Sequence, residues 1–345
     1  MEASSIERVS AYEWSLPSSW YTSPRVLELE REHVLGSSWQ YAGDATDVAE
    51  PGSFTTAVSG QVPVVITRDE DGVLHAMANV CRHRGMVVAT GSGRRSTLAC
   101  PYHAWTYRLD GTLKSAPRFA ELDCSQFRLP ELQVATWGSL LFVSMNPDVA
   151  PLSEQLGVFP DAVARTGLDL GALRRHQRVT HVMEANWKGV VDNSIECYHC
   201  QVNHPAFARD YDLRRYRYEF AGVTQCQTIA DEERYAFAHL WPNSFLSVFQ
   251  PTLIARAIQP LSPSRVSLTM DYYFTDDTPA DERRETVAYF EQIIAEDIPL
   301  VEGVQAGIAS GTHQTGPLHP LHEQSVGVFH RMVAEAIGGF VDGAH

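Results

Sequence analysis

Four side chains of the kind that bind metals stand in two short groups, and they constrain the fold more than any other feature of the sequence. Cys81 and His83 form the first group, and Cys100 and His103 form the second after sixteen intervening residues. Each group offers one thiolate and one imidazole, and nearby glycine and proline residues permit tight turns. This spacing predicts two loops that enclose a metal centre from opposite sides.

Two kinds of metal centre suit this mixed donor set. A structural zinc ion binds cysteine and histidine, although zinc fingers usually begin with a pair of cysteines. A [2Fe–2S] cluster can have cysteines on one iron and histidines on the other, and the neutral imidazoles then raise its reduction potential, which suits it to pass electrons onward. Buried cysteines and histidines without a common task are the third explanation, which the loop spacing disfavours.

The size and charge of the chain limit its class. With 345 residues, 44% of them hydrophobic, it can build one large domain or two ordinary ones. Its formal net charge of −15 has the wrong sign for binding nucleic acid. The acidic first residues and short apolar runs predict neither a secretory signal nor a membrane span, so we expect a cytoplasmic protein. Six cysteines are too few for a disulfide scaffold, and those outside the two groups are expected to be free thiols.

The pattern of apolar residues divides the chain into parts. From residue 39 to 147, short β-rich runs alternate with turn signals such as Asp71-Gly72, which predicts a small all-β domain. Residues 148–345 mix helical and strand-like stretches and predict an α+β domain, with residues 1–38 as an N-terminal segment packed against it. The predicted strands lie at 61–66, 73–77, 138–143, 244–249 and 265–270, and the predicted helices at about 184–199 and 281–305.

A second group of candidate ligands lies in the α+β part. On a helix, at about 100° per residue, Asp192, Glu196 and His199 would share one face. His204 would point about 140° away, so the helix must end before it, and Pro205 biases His204 toward an extended conformation. One histidine on the last turn and one beyond it can then converge on a metal. Neutral core histidines are the alternative for this pair.

A carboxylate further along the chain completes this candidate site. Asp297 falls within the apolar stripe of the predicted helix at 281–305, where a lone carboxylate is costly unless a cation meets it. The stripe consists of Val287, Phe290, Ile294, Val301 and Val304. Fe(II) bound by His199, His204 and Asp297 would provide that cation and keep coordination positions open for dioxygen. Alternatively, Asp297 caps a helix that restarts after a proline, and Glu296 is the second candidate ligand.

The two Cys-His groups, with a tryptophan just after the second, closely resemble the motif of the Rieske family. This resemblance implies that Cys81 and Cys100 bind one iron of a [2Fe–2S] cluster and that His83 and His103 bind the other.

Both candidate sites, in this order, resemble the catalytic subunit of Rieske non-haem iron oxygenases from about Trp39 to His330. The resemblance implies an all-β Rieske [2Fe–2S] domain plus an α+β catalytic domain with a helix-grip, START-like antiparallel sheet and helices. Because no flavin or nicotinamide motif is visible, electrons from NAD(P)H must arrive through a separate flavin and iron–sulfur reductase, alone or with a ferredoxin. The other implied partners are O2 and a small organic substrate. The implied assembly is a homotrimer in which one subunit's cluster lies near the next subunit's iron.

A carboxylate bridges the two metal sites in this family, from a cluster histidine to an iron histidine across the subunit interface. Glu196 and Asp192 are the candidates for this role. Aromatic-ring dioxygenases of the family have an aspartate three residues before the first iron histidine, and here Glu196 occupies that place. A glutamate there resembles the branch that oxidises quaternary ammonium compounds such as carnitine and glycine betaine. We therefore prefer Glu196 as the bridge.

Aromatic residues of the α+β part are candidates for a substrate pocket, namely Trp241, Phe245, Phe249 and Tyr272. Their rings could cage a trimethylammonium group by cation–π attraction, or they could stack on an arene. We predict a terminal oxygenase that hydroxylates, or oxidatively demethylates or cleaves, a quaternary ammonium compound, with an aromatic-ring hydroxylating dioxygenase as the alternative. A Rieske electron carrier without its own catalysis and a zinc-stabilised binding module are the alternatives from other classes.

Overall fold

The computed structural model describes residues 13–230 and 232–341, which form two seven-stranded antiparallel sheets, one small sheet, and helices packed on the second large sheet. The first large sheet has the strand order β1-β10-β9-β4-β3-β2-β5, and the small sheet has the order β6-β7-β8. Their strands are β1 (Gln40–Asp44), β2 (Ser53–Ser59), β3 (Val62–Arg68), β4 (Leu74–Ala78), β5 (Gly93–Arg94), β6 (Leu98–Ala99), β7 (Thr106–Tyr107), β8 (Leu113–Ser115), β9 (Glu131–Trp137) and β10 (Leu140–Ser144).

Alternation along β3 explains how the first sheet supports the Cys-His loops. Successive strand residues point to opposite faces, so Val64 and Ile66 lie on one face and Val65 on the other. Val65 belongs to the apolar cluster that also contains Cys81 and Cys100. The loops that carry the cysteines are therefore anchored on a buried sheet face.

The second sheet has the strand order β11-β17-β16-β15-β14-β13-β12, and each neighbouring pair is antiparallel. Its register places Phe245 of β15 opposite Arg256 of β16, and Arg256 opposite Met270 of β17. The strands are β11 (Arg174–Met183), β12 (Tyr216–Ala221), β13 (Thr224–Ile229), β14 (Glu232–Leu240), β15 (Ser244–Phe249), β16 (Thr252–Ser262) and β17 (Arg265–Phe274).

The α-helices differ widely in length. They are α1 (Pro24–Glu30), α2 (Leu152–Leu156), α3 (Phe159–Thr166), α4 (Trp187–Ser194), α5 (Cys200–Asn203), α6 (Pro205–Asp210), α7 (Ala280–Ala309) and α8 (Gln324–Val341). Short 3-10 helices lie at Ser18–Tyr21, Ala45–Val48, Cys124–Gln126 and Leu213–Arg215, and a π-helical turn at Arg31–Leu35. Within the described residues, no helix has both the length and the apolar character that a membrane span requires.

The two faces of the second sheet pack against different helices. Phe237 faces a core that includes Phe290 of α7 and Phe329 of α8, and residues 16–34 of the N-terminal segment contribute to the same core. Ala238, one residue further along β14, faces the core around Phe159 of α3. The candidate iron ligands lie on the α7 side of the sheet.

The fold class predicted from the sequence is confirmed, with corrections to two helices. The predicted helix at 184–199 is wrong in extent, because α4 ends at Ser194 and the chain continues through turns. Helix α7 runs without a break past Pro299, so Asp297 lies inside a helix and does not cap one. The apolar stripe of α7 is buried from Val287 to Val301, whereas Val304 is 55% exposed.

Candidate metal centres

The two Cys-His groups lie side by side in turns of the all-β part of the chain. Cys81 and Cys100 are each only 3% exposed. His83 and His103 lie at the surface, with their ring centroids 4.7 Å apart. The arrangement offers one buried pair of thiols and one exposed pair of imidazoles, which are the donor types of the predicted cluster.

The same type of turn forms at both groups. The carbonyl of Cys81 accepts the N–H of Gly85, and the carbonyl of Cys100 accepts the N–H of Ala104, each at 3.0 Å. Gly85 and Ala104 have φ values of +73° and +57°, in the left-handed region. Glycine adopts this region freely, whereas alanine there costs about 1–2 kcal/mol. Both turns therefore close four residues after the cysteine, and the histidine lies within each turn.

Aromatic side chains hold these ligands in place. His83 stacks on the buried Trp105, with ring centroids 4.9 Å apart, and His103 stacks on Tyr102 at 3.8 Å. The Tyr107 hydroxyl lies 3.2 Å from Cys81 Sγ. Trp105 is buried, whereas Tyr102 is exposed.

The three predicted iron ligands lie together in the α+β part of the chain. They are His199, His204 and Asp297. The distance from His204 Nε2 to Asp297 Oδ1 is 3.0 Å, and the two histidine Nε2 atoms are 3.2 Å apart. His199 Nε2 lies 3.5 Å from the same carboxylate oxygen. One donor atom from each residue falls within 4.8 Å of the others. Two imidazoles and one carboxylate in this arrangement match the donor set of a non-haem Fe(II) site.

Two glutamates orient the histidines from behind. His199 Nδ1 lies 2.5 Å from Glu196 Oε1, and His204 Nδ1 lies 2.8 Å from Glu296 Oε2. Each glutamate accepts a hydrogen bond from Nδ1 and thereby fixes the ring so that Nε2 points toward Asp297. Glu296, the second candidate ligand in the sequence, thus lies behind His204 and outside the convergent trio.

The side chains of the mononuclear site shift one another's pKa values strongly. Burial opposes protonation of His199, but hydrogen bonds to Asp297 and Glu196 outweigh it and raise its pKa to about 9. Burial would raise the pKa of Asp297, yet the hydrogen bonds from His199 and His204 lower it to about 2. Without a metal, the negative charge of Asp297 is therefore balanced by protonated imidazoles. A divalent cation would replace those protons.

The position of Glu196 results from the early end of α4. Its carboxylate accepts the backbone N–H groups of Tyr198 and His199, the second at 3.3 Å. Such side-chain bonds compete with the helical ones and favour a turn. The predicted single helical face of Asp192, Glu196 and His199 is therefore wrong, although Glu196 and His199 still meet.

Asp192 lies on α4 and has other partners. Its carboxylate accepts a hydrogen bond from the Tyr21 hydroxyl and bonds His330 Nε2, both at 2.9 Å. Asn193, the next residue, donates to Asp297 Oδ1 at 3.2 Å. The only sequence signal for Asn193 is its place next to Asp192 on the predicted ligand face.

A cavity between the second sheet and α7 opens onto the trio. Of the predicted pocket residues, Phe249 lines it. Trp241 packs on Phe329 of α8, and Phe245 lies beneath the guanidinium of Arg256, which itself lines the cavity. The fourth predicted residue, Tyr272, is buried under α7, where its hydroxyl donates to Glu291. These three rings thus lie outside the cavity because helices or Arg256 cover them.

Two of the remaining cysteines flank His199. Cys197 and Cys200 form a disulfide, whereas Cys124 and Cys226 are free. The expectation of free thiols is therefore wrong for this pair. The turn that follows α4 brings their Cα atoms to 5.0 Å, a separation that a disulfide spans.

The fold and the donor sets define a protein with a cluster-type site on an all-β unit and a mononuclear metal site on an α+β unit. Two protein families match the chain. The Rieske [2Fe-2S] domain matches residues 38–131, and the ring hydroxylating alpha subunit (catalytic domain) matches residues 170–234 and 226–339.

Curated relatives are similar over most of the chain. The carnitine monooxygenase oxygenase subunit of Escherichia coli (strain K12) is 28% identical, with 93% of each chain covered. The chloroplastic choline monooxygenase of Spinacia oleracea is 30% identical, with 91% of this chain and 76% of the relative covered. The chain therefore belongs to the Rieske non-haem iron oxygenases, and it is an oxidoreductase.

Solved structures agree with this family. The quaternary ammonium Rieske monooxygenase CntA in complex with its substrate L-carnitine has a TM-score of 0.84 and 28% identity, covering 94% of this chain and 96% of that one. A naphthalene 1,2-dioxygenase with bound indole has a TM-score of 0.74 at 16% identity, covering 85% of this chain and 80% of that one, and shares the fold. The predicted enzyme class and the two cofactors, a Rieske [2Fe–2S] cluster and mononuclear iron, are confirmed. The chain is the oxygenase subunit of a system that needs electron-transfer partners.

Proposed function

We propose that this oxygenase binds its Rieske cluster through Cys81 and Cys100 on one iron and through His83 and His103 on the other. The buried thiols and exposed imidazoles support this division, because a Rieske centre uses these donors in these pairs. The imidazoles form the exposed edge of the site. Electrons would enter and leave the cluster at this edge.

The mononuclear iron is bound by His199, His204 and Asp297. The convergence of their donor atoms on one point of the cavity wall is the observation that carries this assignment. Bound iron supplies a centre at which dioxygen is reduced beside the substrate. The chain's own contribution is to hold Nδ1 of each histidine on a carboxylate, which aims both Nε2 atoms at the metal. A Rieske electron carrier would have no use for this second site.

Glu196 is the bridging carboxylate that links the iron site to a cluster. Its contact with His199 Nδ1 supports this choice over Asp192, whose carboxylate is held by Tyr21 and His330. The bridge requires a neighbouring subunit, and we propose a homotrimer. In the structural study of one quaternary ammonium Rieske monooxygenase, inter-subunit electron transfer is described for that protein. A flavin and iron–sulfur reductase fed by NAD(P)H, alone or with a ferredoxin, supplies the electrons.

The substrate is a quaternary ammonium compound. The cavity has an aromatic wall in which Tyr235 lies 5.0 Å from Phe249 and 5.7 Å from Tyr216, measured between ring centroids. Aromatic faces attract a trimethylammonium group, which can offer them no hydrogen bond. The relatives named for carnitine and choline support the same class. We propose hydroxylation or oxidative demethylation or cleavage as the outcome.

The proposed division of the chain keeps residues 39–147 as the Rieske domain and 148–345 as the catalytic domain, with residues 1–38 as a segment on the latter. The packing of residues 16–34 with α8 supports the place of this segment. A cytoplasmic location fits an oxygenase that draws its electrons from NAD(P)H.

A substrate screen tests this function. The holoenzyme, with a surrogate reductase and NADH, is offered L-carnitine, glycine betaine, choline and benzoate, and oxygen uptake is measured together with product. We expect product-coupled uptake with at least one trimethylammonium compound and none with benzoate. Coupled turnover of benzoate alone would overturn the substrate class and favour the aromatic-ring alternative.

A further inference from the structure

Arg256 places a cation on the cavity wall that the proposed chemistry does not use. It lies on β16 between the buried residues Ala255 and Ala257, and its side chain points to the α7 side of the sheet, where it lines the cavity with Asp297. A guanidinium on an apolar sheet face is costly unless an anion or several acceptors meet it. We therefore expect the guanidinium of Arg256 to bind an anion or several hydrogen-bond acceptors.

The protein satisfies only part of this side chain. Nη2 donates to Ser247 Oγ at 3.3 Å, and Nε is buried without a hydrogen-bond partner. Across residues 13–230 and 232–341, the structure gives Arg256 no ion pair with a carboxylate. Burial lowers the pKa of Arg256, but a guanidinium remains charged in proteins.

The neighbouring groups do not neutralise this charge. The guanidinium carbon lies 5.0 Å from the ring centroid of Phe245 and 5.4 Å from that of Phe237, so aromatic rings cover part of it. The acidic residues that line the cavity are Glu196 and Asp297, and both are engaged with the iron-site histidines. The remaining donors of Arg256 are therefore available to an anion that enters the cavity.

We propose that Arg256 binds a carboxylate of the substrate, which makes the preferred substrate a betaine with an ammonium group and a carboxylate on one small molecule. This inference rests on the proposed function and narrows it. The planar fork of arginine matches a carboxylate in bidentate geometry, and Ser247, which accepts from Arg256, keeps its own hydrogen for a further bond. The trimethylammonium end then lies toward the aromatic wall of Tyr235 and Phe249.

The charge of Arg256 should also disfavour substrates that carry a cation but no carboxylate. A substrate such as choline carries a cation and a neutral hydroxyl, so it would leave the guanidinium without an anion and add a second positive charge nearby. We therefore expect carboxylate-bearing trimethylammonium compounds to be preferred over their alcohol and ester counterparts.

The test uses three ligands of similar shape. Glycine betaine carries both charges, its methyl ester carries only the ammonium, and tert-butylacetate, with carbon in place of nitrogen, carries only the carboxylate. Binding of each is measured by calorimetry on the anaerobic holoenzyme, in the wild type, Arg256→Gln and Arg256→Lys. Arg265→Gln, which changes an exposed arginine at the start of β17, is the matched control.

Arg256→Gln is expected to weaken the binding of glycine betaine and tert-butylacetate by about 10- to 100-fold, because the acids lose a charge-assisted hydrogen bond. Binding of the ester should stay the same or become tighter, because the ester loses only a nearby like charge. Arg256→Lys keeps the charge but not the fork, so its loss should be smaller yet still confined to the acids. Loss of the cluster absorption in Arg256→Gln would show that this variant is misfolded. The test then rests on Arg256→Lys, in which the ratio of acid affinity to ester affinity should fall below that of the wild type. The control should match the wild type with all three ligands.

The outcomes separate this proposal from the one on which it rests. Equal affinities of the acids in the wild type and both Arg256 variants would overturn the carboxylate site, even if glycine betaine is turned over. Arg256-dependent binding of tert-butylacetate, with glycine betaine binding no better and giving no product, would support the carboxylate site and overturn the trimethylammonium class.

Discussion

The carboxylate of Glu196 lies 2.5 Å from Nδ1 of His199, on the side of the imidazole that faces away from Asp297. One side chain thus orients an iron-site histidine and also closes the turn after α4, through its bond to the backbone N–H of His199. The same residue therefore stabilises the turn after α4 and aims the ligand. A conservative change at Glu196 should disturb function before it disturbs folding.

Replacing Asp297 with alanine should remove the mononuclear iron and leave the cluster. The remaining two histidines lack the anionic ligand, so iron content should fall from about three atoms per chain to about two while the visible absorption of the cluster persists. Metal analysis and absorption spectra check this prediction, and product formation should be lost. His199→Ala is expected to behave in the same way. Retained iron and turnover in either variant would remove that residue from the ligand set.

Replacing Glu196 with glutamine should slow electron transfer between the two metal sites, measured with enough Fe(II) to keep the mononuclear site filled. The amide keeps the size of the side chain but loses the charge that holds the His199 Nδ1–H. Rapid mixing of the reduced enzyme with O2 and substrate would follow cluster oxidation. Asp192→Asn is the matched comparison, and we expect it to have the smaller effect on this rate. The reverse order of the two effects would assign the bridge to Asp192.

Replacing Glu296 with glutamine should weaken iron binding without removing a ligand. Glu296 bonds His204 Nδ1 at 2.8 Å, and loss of such an outer partner typically lowers metal affinity by about 10- to 100-fold. Competition with a calibrated Fe(II) chelator measures the change. Gln292→Ala removes only the neighbouring residue that donates to Glu296 and should have little effect. An unchanged affinity in Glu296→Gln would show that His204 needs no support from this side.

Iron binding to the apo site should strengthen as the pH rises. The pKa of His199 is raised to about 9, above its ordinary value, so this imidazole is protonated through neutral pH and must lose its proton to bind metal. Affinity should therefore increase by about tenfold per pH unit for each proton that the metal displaces, until about pH 9, and then level off. Calorimetry in buffers with different ionisation enthalpies measures the released protons. A pH-independent affinity from about pH 7 to pH 9 would contradict this.

How much of this site follows from the sequence depends on the kind of signal each residue carries. Asp297 could be predicted because a carboxylate inside an apolar stripe is conspicuous at helical spacing. Arg256 is likewise a charged residue within an apolar run, that of β16, but the prediction of Asp297 rests on helical spacing, which a strand does not have. The partnership of Glu296 with His204 joins residues far apart in the chain, so no local pattern predicts it.

The extent of the helix before His199 was mispredicted for a physical reason. Periodicity from 184 to 199 fits a helix, yet the Glu196 side chain bonds to the backbone N–H groups that follow it and stabilises a turn instead. Strand β15, Ser244–Phe249, was predicted at its observed bounds because simple alternation decides it. A hydrogen bond from a side chain to the backbone does not change the pattern of apolar residues, so that pattern cannot predict where such a bond ends a helix.

Replacing Glu30 with alanine should destabilise the protein strongly. Glu30 of α1 lies 2.5 Å from Lys188 of α4, and both side chains have no exposed surface. Without the carboxylate, the buried ammonium has no counter-charge, which typically costs about 3–5 kcal/mol. Urea denaturation measures the free energy of unfolding. Glu28→Ala, at an exposed ion pair on the same helix, should change it little, and equal effects of the two variants would contradict the account.

A single turnover of the fully reduced holoenzyme, without reductase, tests the central claim most directly. The enzyme is mixed with O2 and glycine betaine, and the signal of the reduced cluster is followed together with product. If the Cys-His site feeds electrons to the site of His199, His204 and Asp297, product should form as the reduced-cluster signal disappears, and Asp297→Ala should give neither. Product formed while the cluster stays reduced, or cluster oxidation unaffected by the loss of Asp297, would contradict the account.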